Sequence, residues 1–72
     1  MNLVIDIGNT RSKYAFFQED RLIGVNYRLD SILEDMRPRK EKGEQVWIFL
    51  TGSGHIDSEM QLAIKEQADY WL

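Results

Sequence analysis

Residues 3–10 read Leu3-Val4-Ile5-Asp6-Ile7-Gly8-Asn9-Thr10. The first five form a short, nearly continuous run of branched aliphatics, the pattern of a strand covered on both faces. Gly8-Asn9-Thr10 then breaks the run with strong turn residues. Within the apolar run sits one carboxylate, Asp6, and charged groups are rarely buried without a partner. Working outward, Lys13 leads into Tyr14-Ala15-Phe16-Phe17, and Leu22 to Tyr27 is a third apolar-rich stretch. Gln18-Glu19-Asp20-Arg21 between them is polar and of hairpin length. The spacing predicts three antiparallel strands in a meander.

The pattern then changes period. Asp30 or Ser31 is a candidate helix cap, and Ser31-x-x-Glu34 fits a capping box. Ile32, Leu33 and Met36 share one helical face, while Pro38 argues against a simple continuation. Residues 34–44 hold eight charges in eleven positions, which reads as a solvated helix end and loop. Val46-Trp47-Ile48-Phe49-Leu50 predicts a fourth strand, and Thr51-Gly52-Ser53-Gly54 a turn into a second helix. Ser58-x-x-Gln61 is its candidate cap, with Ile56, Met60, Ala63, Ile64, Ala68 and Trp71 on one face. Tyr70-Trp71-Leu72 is expected to begin a fifth strand that is cut off. The order β-β-β-α-β-α, with a right-handed crossover setting strand four parallel to strand one, implies an α/β mixed sheet packed with helices. All of residues 1–72 are expected to form one unit, without a second domain.

Composition narrows the field further. Seventy-two residues bury only about 60% of the unfolded chain's surface, so stability is expected to be marginal. The chain has no cysteine, hence neither disulfide nor thiolate metal site. A net charge of -3 lacks the basic excess of a nucleic-acid binder. No apolar run reaches the roughly 18 residues of a membrane helix, and no secretion signal opens the chain. A cytoplasmic protein with neither nucleic-acid nor membrane partner is expected.

The turn after the first strand carries the chemistry. A carboxylate at Asp6 can hold magnesium directly or through water, since that ion takes oxygen ligands and keeps much of its hydration. Gly8 lets the backbone approach a phosphate, and successive N–H groups near Asn9 and Thr10 can form an anion-binding concavity. The Thr10 hydroxyl adds a donor, and Lys13 can place an ammonium beside the phosphates. The same residues also suit a plain hairpin turn. They do not form a P-loop or a dinucleotide fingerprint.

From Asn2 to Lys13 the sequence closely resembles the opening of type III pantothenate kinases, members of the superfamily of acetate and sugar kinases, Hsp70 and actin. The resemblance is specific at residues 2–13 and architectural afterwards. It implies a ribonuclease-H-like half-domain bearing the first phosphate loop, and an ATP-dependent transferase, the kinase acting on pantothenate at the first step of coenzyme A synthesis. Asp6 would position Mg2+, and Gly8, Asn9 and Thr10 would bind ATP phosphates with Lys13 beside them. A monovalent cation is also implied. The family's Gly-Asp-Arg catalytic motif, second phosphate motif and adenosine site are absent from these 72 residues. The chain therefore reads as an amino-terminal piece, with no catalytic residue of its own and no activity expected alone.

Other residues give less. His55, the single histidine, lacks partners for a metal site, and reads as exposed or capping. The Thr51–Gly54 turn can touch a phosphate but reads first as a strand-to-helix connection. Trp47 and Trp71 suit core or interface packing more than ligand stacking. Arg37, Arg39, Lys40 and Lys42 are interspersed with acids, as on a solvated surface. Two alternatives stand beside the kinase reading: a piece of another kinase or ATPase of the superfamily, and a small non-catalytic interaction domain. A homodimer or edge-to-edge association is expected, and for the interaction domain it would run through strand four or the Trp71 end.

Overall fold

The protein's structure, a computed structural model, describes residues 1–8 and 11–71. β1 (Asn2–Ile7), β2 (Ser12–Gln18) and β3 (Arg21–Asn26) form the expected antiparallel meander. β4 (Trp47–Thr51) lies parallel to β1 on its other side. β5 (Tyr70–Trp71) pairs parallel with β4, so a fifth strand does begin where expected, while Leu72 lies outside the described residues. The sheet order is β3-β2-β1-β4-β5. A 3-10 turn at Leu29–Ser31 leads into α1 (Ile32–Glu41), which links β3 to β4, and α2 (Ser58–Gln67) links β4 to β5. The chain is an α/β domain with a five-stranded mixed sheet and two helices. Among the described residues, no helix is long and apolar enough to cross a membrane.

The sheet is covered on one face only, which corrects the expectation for β1. Leu3, Ile5 and Ile7 are buried, whereas Val4 and Asp6 between them are half-buried. The buried three join Tyr14 and Phe16 of β2, Val46, and Ile48 of β4 in one cluster with Ile32 and Met36 of α1 and Ile64 of α2. Both helices therefore pack on the same side. Alternation of side chains sends the intervening residues to the open face. Register places Leu22 beside Phe17, Val25 beside Ala15, and Tyr70 beside Trp47 on that face. Trp47, expected in the core or an interface, stacks on Tyr70 with ring centroids 4.0 Å apart and remains exposed, while Trp71 packs against the core.

The helix boundaries also depart from expectation. Ser31 makes no side-chain capping bond: at the end of the 3-10 turn its backbone is already helical, φ -91° and ψ -4°, not the extended geometry of a capping residue. α2 is capped by Asp57, not Ser58, its carboxylate accepting from the Met60 N–H at 3.3 Å. α1 runs through Pro38 to Glu41. The missing Pro38 N–H faces the exposed Glu34 end of the turn, where water can satisfy the freed carbonyl. The helix stops instead at Gly43, whose N–H donates to Lys40 while that of Glu44 reaches Arg39, the paired bonds of a Schellman motif.

Two of the charges expected on a solvated surface do structural work. The Arg39 guanidinium lies 3.9 Å over the Phe16 ring and donates to the Asp35 carbonyl at 2.7 Å. Lys40 pairs with Asp69 at 2.5 Å, and the same carboxylate oxygen accepts from the Val46 N–H at 2.7 Å. Asp69 thus ties α1 to the start of β4 and to β5. Its hydrogen bond from Lys40 and then that from Val46 hold its pKa below the ordinary value of 3.8. A depressed native pKa contributes stability that is present above the unfolded value and lost as pH falls through the native one. Asp69→Asn is expected to cost roughly 1 kcal/mol at pH 7. The gap to wild type should close in melts taken well below pH 3.8.

Inside the core, Tyr14 donates its phenol proton to Asp35 of α1. Burial first, and the Asp35 carboxylate second, push the Tyr14 pKa far up, so the donor persists across the folded range. Tyr14→Phe strands a half-buried carboxylate and is expected to cost about 1–3 kcal/mol in urea melts.

Candidate functional site

Asp6 lies at the carboxyl end of β1, on the open face of the sheet and half-buried. The sequence suggested a carboxylate enclosed in an apolar strand; the one-sided sheet removes that conflict by turning Asp6 away from the core. Its register partners are Lys13 on β2 and Thr51 on β4. Ammonium, carboxylate and hydroxyl therefore stand in a row across three strands. Among the described residues, the Asp6 carboxylate takes no side-chain hydrogen bond or ion pair.

A cavity of about 220 Å³ opens on the Lys13 side, lined by Asp6, Arg11, Ser12, Lys13 and Tyr27. Two cations and one carboxylate around an open cavity suit a polyanion bound with a divalent ion. Arg11 and Tyr27 were not singled out from the sequence as site residues. Two-residue alternation puts Arg11 in phase with Lys13, a signal that was available. The position of Tyr27 depends on the β2–β3 pairing, in which Tyr14 opposes Asn26, and a β-bulge between Phe16 and Phe17 hides that register from simple counting.

Of the expected phosphate-turn residues, Gly8 is described, whereas Asn9 and Thr10 lie outside the described residues. The Gly8 N–H donates to the Arg11 carbonyl at 2.9 Å, and a Cβ on Gly8 would collide with that same oxygen. Closure of the turn is thus sufficient reason for glycine here. His55 is exposed, as expected.

The turn after β4 is joined to this site. The Gly54 N–H donates to the Ile7 carbonyl at 2.8 Å, binding the ends of the two parallel strands together. Gly52 has φ +103°, and a Cβ there would collide with the Ile7 carbonyl and come within 2.8 Å of Asp6 Oδ1. The Asp6 carboxylate consequently rests over a glycine that no other residue can replace without displacing it. Among the described residues there is no group of three or more histidine, cysteine, aspartate or glutamate side chains able to cage a metal. A single carboxylate fits magnesium, whose remaining positions are filled by water and phosphate oxygens.

Compared with models of known protein families, with curated proteins and with solved structures, the chain matches none.

Gly52→Ala is expected to destabilise the fold by about 2 kcal/mol or more, through strain at positive φ and collision with β1. A thermal melt checks it, with Gly24→Ala, where a Cβ meets nothing within 4 Å, as the mild control.

Proposed function

We propose that the chain is the amino-terminal part of an ATP-dependent kinase, best matched by its resemblance to type III pantothenate kinases, and that the end of β1 binds magnesium and the phosphates of ATP. The observation that carries this reading is the convergence of Asp6, Arg11 and Lys13 on one open cavity. The sheet order β3-β2-β1-β4-β5, with only β2 antiparallel to its neighbours on either side, supports a ribonuclease-H-like half-domain. In phosphoryl transfer the protein supplies position and charge neutralisation. Here Lys13 and Arg11 would neutralise phosphate oxygens, Asp6 would hold the hydrated magnesium, and the backbone N–H groups of Asn9 and Thr10 would orient the chain of phosphates, that of Gly8 being taken by the Arg11 carbonyl. Pantothenate as the acceptor rests on the resemblance alone. Another kinase or ATPase of the superfamily would use the same groups in the same roles.

Amide NMR spectra with and without Mg-ATP test the reading. Shifts centred on residues 6–13 are expected in the wild type and absent in Asp6→Ala. Because Asp6 is half-exposed and off the core, that variant should melt within about 0.5 kcal/mol of wild type. A folded wild type that ignores Mg-ATP would count against the kinase reading.

A second reading has its own observation. The open sheet face exposes Leu22, Val25, Trp47 and Tyr70, and contiguous apolar surface marks interaction sites. A non-catalytic domain that self-associates through this face would melt at temperatures that rise with protein concentration.

A further inference from the structure

We infer that the β4–α2 turn is the second wall of the Asp6 site, and that the Thr51 and Ser53 hydroxyls hold the water shell of a divalent cation bound at Asp6. The inference rests on the magnesium-phosphate reading and assigns that site residues from a segment distant in sequence.

The argument starts from the row across the sheet. Asp6 is flanked on one side by Lys13, Arg11 and the cavity, and on the other by Thr51 and Gly52. The two flanks differ in chemistry. The β2 side offers ammonium and guanidinium, which attract phosphate oxygens and repel a metal ion. The β4 side offers two neutral hydroxyls and no cation between Thr51 and Gly54. A cation held by Asp6 is therefore drawn to the β4 side, while the phosphates it carries occupy the β2 side.

Geometry supports the same division. Thr51 is the parallel register partner of Asp6, so both side chains leave the same face on adjacent strands, about 4.8 Å apart in the pairing direction. Thr51 and Ser53 are exposed. Gly52, with no side chain, keeps the space beside Asp6 Oδ1 clear: even a Cβ there would stand 2.8 Å from that oxygen. The Gly54–Ile7 bond of 2.8 Å holds the turn against the end of β1. Magnesium dehydrates reluctantly and keeps several waters, and hydroxyls donate to and accept from such waters without entering the first coordination sphere.

The test separates metal from phosphate. Affinity for ATP is measured by NMR titration in excess Mg2+ and again in EDTA, for wild type, Thr51→Val, Ser53→Ala and Lys13→Ala, with melts confirming that each is folded. Thr51→Val and Ser53→Ala are each expected to weaken Mg-ATP binding about two- to tenfold, the scale of one hydrogen bond. Neither should alter binding of ATP in EDTA, whereas Lys13→Ala should weaken both. If both hydroxyl variants bind Mg-ATP like wild type, or lose metal-free binding equally, the turn is no part of the cation site and the inference falls, with the kinase reading intact. If wild type binds neither Mg-ATP nor ATP, that reading falls and takes the inference with it.

Discussion

The parallel pairing of β1 with β4 is the constraint on which the remaining structure depends. It brings together two segments more than forty residues apart in sequence, and it must be closed at the carboxyl ends, because no hairpin joins these two strands. The Gly54 N–H on the Ile7 carbonyl supplies that closure. The left-handed turn at Gly52 makes the approach possible, and the chain then enters α2 with Asp57 as its cap. Remove this joint and β1 keeps only its antiparallel partner. The two helices would also lose the common surface formed by Leu3, Ile5 and Ile48.

Because both helices cover one side of the sheet, β1, β2 and β4 have a dry face and an open face, whereas β3 has no buried residue. The dry face holds the stability: the buried cluster is entirely hydrophobic apart from the Tyr14 phenol, whose proton is taken up by Asp35. The open face holds the candidate site. Asp6, Lys13 and Thr51 meet there without any charge having to be desolvated completely. Such an arrangement lets a small domain keep an ionised carboxylate at the end of a central strand, where full burial would cost several kcal/mol.

Much of this was legible in the sequence. Short apolar runs bounded by turn residues locate the strands, and a period-3.6 pattern locates both helices. What the patterns could not give was sidedness. Val4 is as apolar as Leu3, so β1 reads as a strand covered twice, and Trp47 and Phe49 are as apolar as Ile48, so β4 shows no preferred face. Only the placement of both helices on one side shows otherwise. Local competition explains the misread caps. Asp57 and Ser58 are adjacent candidates, and the aspartate stands one residue nearer the turn. Pro38 was read as a stop because sequence alone does not reveal that Glu34, whose carbonyl it frees, faces solvent.

The candidate site was legible by half. The Asp6-to-Lys13 segment is contiguous, and its spacing around Gly8 carries a chemical suggestion unaided. The β4–α2 turn looked like a connection because nothing in Thr51-Gly52-Ser53-Gly54 names a partner. Its glycines gain meaning only from what lies against them, the Ile7 carbonyl, the Gly8 carbonyl and Asp6 Oδ1. Close packing at that point restricts position 52 to glycine whatever the ligand. The hydroxyls beside it are under no such restriction, since Thr51 and Ser53 are exposed and fill no space that the fold requires. The fold needs the two glycines; the proposed cation site would draw on the hydroxyls as well. Fold and proposed function would thus make separable demands on neighbouring residues of a single turn.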